Sequence, residues 1–131
     1  MNHQQKLLGL PVAIKDIIDV ARTETGFGSK IYQSLEAPLH HKKAIDAVSS
    51  LRAAGGILMG KTVTTEFATF QVADTKNPAA PGRTPGGSSI GSAAGVASGM
   101  VPWALGSQTA GSFIGQPPTA VLWGLNQPLE L

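Results

Sequence analysis

Between Leu10 and Met59 the chain passes through a short apolar run, an amphipathic stretch and a second short apolar run, an order that restricts the fold more than any other feature. The first run, LPVAI from Leu10 to Ile14, is too short for a helix and rich in branched side chains. It reads as a buried strand ending on the charged pair Lys15 and Asp16. A looser region with Thr23, Gly26 and Gly28 follows. From Lys42 to Ala54, apolar side chains recur at Ala44, Ile45, Val48 and Leu51, the spacing of one helical face. Gly55 and Gly56 stop that helix, because glycine enters left-handed backbone conformations without a steric penalty, and Ile57 to Met59 then reads as the next strand. Strand, helix, strand in succession predicts an α/β fold built on a parallel sheet. Downstream, Val63 to Gln71 is expected as a short helix and Val101 to Leu105 as a further strand. Lys76 to Pro85, with Pro78, Pro81, Gly82 and Pro85, is expected as a loop that cannot join a sheet ladder. Neither an internal repeat nor a linker divides the chain.

Composition narrows the classes of function. A length of 131 residues suits one domain, which would bury roughly two-thirds of its unfolded surface. An apolar share of 42% with only 14% charged residues is that of a globular protein rather than a disordered tail or coiled coil. The net charge of +2 is small and scattered, so nucleic acid is not the expected partner. The absence of cysteine excludes disulfides, thiolate zinc sites and a cysteine nucleophile, and suits a reducing compartment. The start, MNHQQKLLGLPVAIKD, has no basic leader region, and Gly9, Pro11 and Lys15 interrupt its apolar run. It is therefore expected to be neither a signal peptide nor a membrane span, which points to a cytoplasmic protein with no membrane partner.

Chemistry is expected where small residues replace the large side chains a core prefers, in PGGSSIGSAAGVASGM from Pro85 to Met100. The alanine, glycine and serine of Ser88 to Gly99 allow another backbone to approach closely. By itself Gly-Gly-Ser-Ser reads as a helix start, since serine caps helices and glycine makes turns. A second cluster, GSQTAGS, follows the expected strand and ends on Ser112, a geometry that can aim backbone N–H groups at a developing oxyanion. Serine attack on an amide also needs a base. His3 lies near the terminus, and His40 and His41 sit beside Lys42 and Lys43, so all three read as exposed loop residues. A lysine held neutral by burial can take that role, and Lys15 at the end of a buried strand is the best placed.

At these residues the chain resembles the amidase-signature family, whose pattern runs in order through three elements. They are GLPVAIKD at Gly9 to Asp16, LRAAGGILMGKTVTTEFA at Leu51 to Ala68, and PGGSSIGSAAGVASGMVPWALGSQTAGS at Pro85 to Ser112. The resemblance covers Leu8 to Ile114. It implies a mixed, mainly parallel sheet flanked by helices, of which this chain carries part. It further implies that Ser112 is the acyl-forming nucleophile, that Ser88 is the bridging serine of the family's cis peptide, and that Lys15 is the base acting through Ser88. Ser88 and Ser112 stand 24 residues apart, which agrees with the family's arrangement and selects Ser88 over Ser89. Backbone N–H groups of Thr109, Ala110, Gly111 and Ser112 would form the oxyanion hole, with Asp16 and Ser89 supporting the site. No cofactor or metal enters this reading; the expected partner is a small-molecule amide substrate.

A competing pattern lies in GGILMGKT, where Gly55, Gly60, Lys61 and Thr62 satisfy the spacing of a phosphate-binding loop. Such a loop follows a strand and opens a helix, whereas this one follows a helix and fills its variable positions with Ile57, Leu58 and Met59. Lys61 therefore reads as a structural residue.

The family pattern stops just past the expected nucleophile. One subfamily pattern, GSVIRPAAFCGVVGLKPT, predicts an arginine where Gly115 stands, but the chain continues GQPPTAVLWGLNQPLEL. Codons exist for those residues that, after insertion of one C, read RPAAYCGVVGLKPTFGA in the neighbouring frame and restore the pattern. The expected organisation is a catalytic segment over residues 1–114 and a frameshifted tail over residues 115–131. Since family members are several times longer, two functional readings remain: a serine amidase, and a catalytically silent remnant of one.

Overall fold

The computed structural model describes residues 6–34, 46–69, 74–107 and 122–125, the last as backbone only. Four strands, β1 (Pro11–Lys15), β2 (Ile57–Thr62), β3 (Trp103–Ser107) and β4 (Leu122–Leu125), form one sheet in the order β2-β1-β3-β4. Each strand runs parallel to its neighbours. β1, rich in branched and apolar residues, takes the interior position such a sheet gives to a strand buried on both faces. β1 ends on Lys15, at the charged pair where its end was expected, and β3 runs two residues past the expected Leu105 to Ser107.

The helices are α1 (Lys30–Gln33), α2 (Asp46–Ala53) and α3 (Ile90–Ala97). α2 carries Val48 and Leu51 into a cluster with Val12, Ile14, Ile18, Val20 and Leu105. Its end falls where the glycine pair required, with Gly55 at a φ of 89°. α3 brings Val96 against a smaller cluster of Ala13, Val101 and Ala104 on the sheet's other face. Where a helix was expected over Val63 to Gln71, the described part holds only a 3-10 turn at Glu66–Ala68. The buried Thr64 and Thr65 explain the difference, because the Thr64 hydroxyl and the Thr65 N–H both donate to the Ser88 carbonyl instead of joining a helical ladder. Short α1 was not expected; Ser29 caps it by accepting from the Tyr32 N–H at 3.3 Å. No helix among the described residues is long and apolar enough to cross a membrane.

Candidate active site

β1 delivers Lys15 to the face of the sheet that α3 covers. Its side chain is fully buried. Its amine donates to Ser88 Oγ at 2.6 Å, to Ser107 Oγ at 2.9 Å and, at a longer 3.4 Å, to the Ser107 carbonyl. All three acceptors are uncharged oxygens, so the bonds orient the amine without offsetting a full positive charge. Burial accordingly lowers its pKa from 10.5 to about 8. An amine in that range divides between ammonium and free base near neutral pH, as a proton acceptor must.

Ser88 is held by its backbone as well as by Lys15. The Gly87–Ser88 peptide bond is cis, as the family resemblance implied for this serine. The Ser88 carbonyl accepts from the Thr65 N–H and the Thr64 hydroxyl, each at 3.2 Å, which fixes the turn before α3 to the segment after β2. Ser89 occupies the cap position of α3 but makes no side-chain cap bond; its hydroxyl donates instead to the Ser107 carbonyl at 3.2 Å. The serine pair thus serves the lysine site more than the helix start that Gly-Gly-Ser-Ser alone suggested. Asp16 faces elsewhere. Its carboxylate pairs with Lys61 at 2.9 Å and accepts from the Gly26 N–H at 3.1 Å. Lys61 lies within β2 and also donates to the Thr25 hydroxyl and the Glu24 carbonyl, so GGILMGKT is strand rather than phosphate loop.

The structure therefore brings Lys15, Ser88 and Ser89 together, whereas the Asp16 carboxylate is held by Lys61 and the Gly26 N–H. Ser112, with Thr109, Ala110 and Gly111, lies outside the described residues, as do His3, His40, His41 and Gly115. Ser107 was not expected in the site. It belongs to the GSQTAGS cluster, and β3 extends past its expected end to place this serine at a strand tip beside Lys15. No group of three metal-binding side chains comes together among the described residues.

A family model described as Amidase matches residues 1–118, spanning Lys15, Ser88 and Ser112. The chain belongs to the amidase family. Among its relatives, the AmiA2 protein of Mycobacterium tuberculosis is 44% identical over 113 residues, covering 82% of this chain and 22% of that protein. A glutamyl-tRNA(Gln) amidotransferase component from Methanosarcina mazei is 42% identical over 116 residues, covering 84% of this chain and 24% of that protein. A solved structure of an inhibitor-bound vestigial protein complex, described as revealing the evolutionary origins of an s-triazine catabolic enzyme, superposes with a TM-score of 0.65 at 38% identity. That match covers 75% of this chain and 22% of the other. The chain thus spans about a fifth of the length of these amidase-family relatives.

Proposed function

We propose that this chain carries the catalytic segment of a cytoplasmic amidase that hydrolyses the C–N bond of a small carboxamide through a serine acyl-enzyme. The observation that carries this reading is the 2.6 Å bond from a buried Lys15, its pKa lowered to about 8, to the Ser88 hydroxyl. In the proposed sequence, neutral Lys15 takes the Ser88 proton while Ser88 takes the proton of Ser112 Oγ, which attacks the amide carbon. The N–H groups of Thr109 to Ser112 receive the oxyanion, each donor being worth about 10²- to 10³-fold in rate. Collapse breaks the C–N bond, and the proton returns through Ser88 to the departing nitrogen, releasing ammonia or an amine. Water then attacks the acyl-Ser112 ester by the same route in reverse, giving the carboxylic acid and free enzyme. A fluorophosphonate probe is expected to label the purified chain, with ammonia released from simple amides, and Ser112→Ala to abolish both. Ammonia release that survives Ser112→Ala refutes the assignment.

A second reading, a catalytically silent remnant, is favoured by the departure from the family pattern at Gly115. We propose that residues 115–131 are a frameshifted tail. DNA downstream of the Ile114 codon that cannot be read as RPAAYCGVVGLKPTFGA after a single-base insertion removes this proposal. An unlabelled chain with Lys15 and Ser88 still in place favours the remnant.

A further inference from the structure

The Lys15–Ser88 bond joins two elements, the end of β1 and the turn that opens α3, and something must hold them in register. Thr62, the last residue of β2, is the strand partner of Lys15. Its hydroxyl lies 2.7 Å from that of Ser92 in the first turn of α3. Ser92 is fully buried, and its hydroxyl also reaches the Leu105 carbonyl of β3 at 3.4 Å. Because the sheet order is β2-β1-β3, this one side chain ties α3 to both strands that flank β1, at the level of Ile14 and Lys15. Beside it the helix meets the residue that follows β2 at backbone distance. The Gly91 N–H donates to the Val63 carbonyl at 2.9 Å, and a Cβ added at Gly91 would come within 2.5 Å of Val63 N.

We propose that Thr62 and Ser92 are positioning residues that hold Ser88 against the Lys15 amine. The pair acts through α3: Ser92 lies one helical turn beyond Ser88, so losing its anchor frees the turn that carries Ser88 and Ser89 while the sheet below remains. Every described group bonded to the amine is uncharged, on β3 and at the start of α3 alike, and Asp16 next to it is engaged by Lys61. A change in the amine's titration thus reports a change in enclosure and hydrogen bonding rather than the loss of a neighbouring charge.

The inference rests on the amidase reading for its functional meaning, but its test does not need activity. Three variants of the full chain are compared with the parent: Thr62→Val, which keeps the shape and removes the hydroxyl; Thr62→Ser, which keeps the hydroxyl; and Ser92→Ala. In chains labelled with ¹³C at lysine Cε, the Lys15 resonance is followed against pH, and fluorophosphonate labelling rates are measured alongside. Thr62→Val and Ser92→Ala are each expected to raise the Lys15 titration midpoint by about one pH unit and, where the parent is labelled, to slow labelling about 10- to 100-fold. Thr62→Ser is expected to leave the midpoint within about 0.3 pH unit and the labelling rate within about twofold of the parent. If Thr62→Val does not fold, as judged by circular dichroism, Ser92→Ala decides the question. Midpoints unchanged in the folded variants, or shifted equally by Thr62→Ser and Thr62→Val, overturn the proposal. A parent chain that resists the probe counts against the amidase reading alone, and the titration then decides the positioning role.

Discussion

The same strands present opposite chemistry on the two faces of the sheet. Toward α2, Val12, Ile14 and Leu105 join Ile18, Val20 and Val48 in a cluster of branched aliphatic side chains. Toward α3, the alternate residues are Ala13, Lys15 and Ala104, and the helix above them buries Ile90 together with the small Ser92, Ala93 and Gly95. The first face fills space with apolar volume. The second leaves little side-chain volume, so the helix backbone comes within hydrogen-bonding distance of the chain at the end of β2, and a lysine amine is enclosed by serine oxygens. Burying Lys15 among uncharged groups opposes its ionisation, so the face that carries the chemistry depends on the stability the other face supplies.

The comparison breaks most readily at Lys15. Lys15→Met replaces the amine by an apolar chain of similar length and is expected to reduce probe labelling by about 10²- to 10⁴-fold, the usual range for a lost general base. The folded midpoint in urea is expected to stay the same or rise, because the cost of burying an amine disappears. A labelling rate unchanged by Lys15→Met would remove the lysine from the chemistry. The converse change is Ile14→Ala, one residue away on the aliphatic face and 1% exposed. It is expected to cost about 2–5 kcal/mol in urea unfolding while leaving the Lys15 titration of the folded fraction in place. If Ile14→Ala instead moves that titration, the two faces are coupled rather than divided.

Gly91→Ala tests the close approach on the α3 face. Its Cβ would meet Val63 backbone at 2.5 Å, so a destabilisation of about 1–3 kcal/mol is expected from overpacking, together with a raised Lys15 midpoint. A smaller effect is the pH dependence. If neutral Lys15 is the base, labelling rises with pH up to about 8 and levels off above it. The stability linkage has a definite sign. The folded pKa of Lys15 lies below its unfolded value of 10.5, so between about 8 and 10.5 the unfolded chain holds the extra proton and this group's contribution to stability rises with pH. The smallest effect belongs to the ion pair on β2, which is partly exposed. Lys61→Met is expected to lower stability by only about 0.2–1 kcal/mol, and less at high salt.

Much of this division was legible in the residues. The branched run at Leu10 to Ile14 and the glycine pair at Gly55 and Gly56 foretold a parallel α/β arrangement, and the small residues from Ser88 to Gly99 foretold a close approach of another backbone. The motif resemblance singled out Lys15 and Ser88, which the structure brings into contact. Ser107, Thr62 and Ser92 were not legible, for a shared reason. A hydroxyl has no periodicity of its own, and its role depends on which strand lies beside which, information carried by the sheet order and not by local spacing. The 3-10 turn at Glu66–Ala68 escaped for a related reason: Thr64 and Thr65 give their donors to Ser88, more than twenty residues away in sequence, and no local propensity encodes that.

The hydrogen bonds that enclose the Lys15 amine close loops of 73 and 92 residues. Closing loops of that length costs chain entropy, so the site has no local precursor and exists only when the sheet and α3 are assembled. During synthesis the strand that bears Lys15 emerges long before Ser107, by about 5–20 s at ordinary elongation rates. The lowered pKa of Lys15 comes from burial that the sheet and α3 supply together, so the titration of this one side chain reports their assembly.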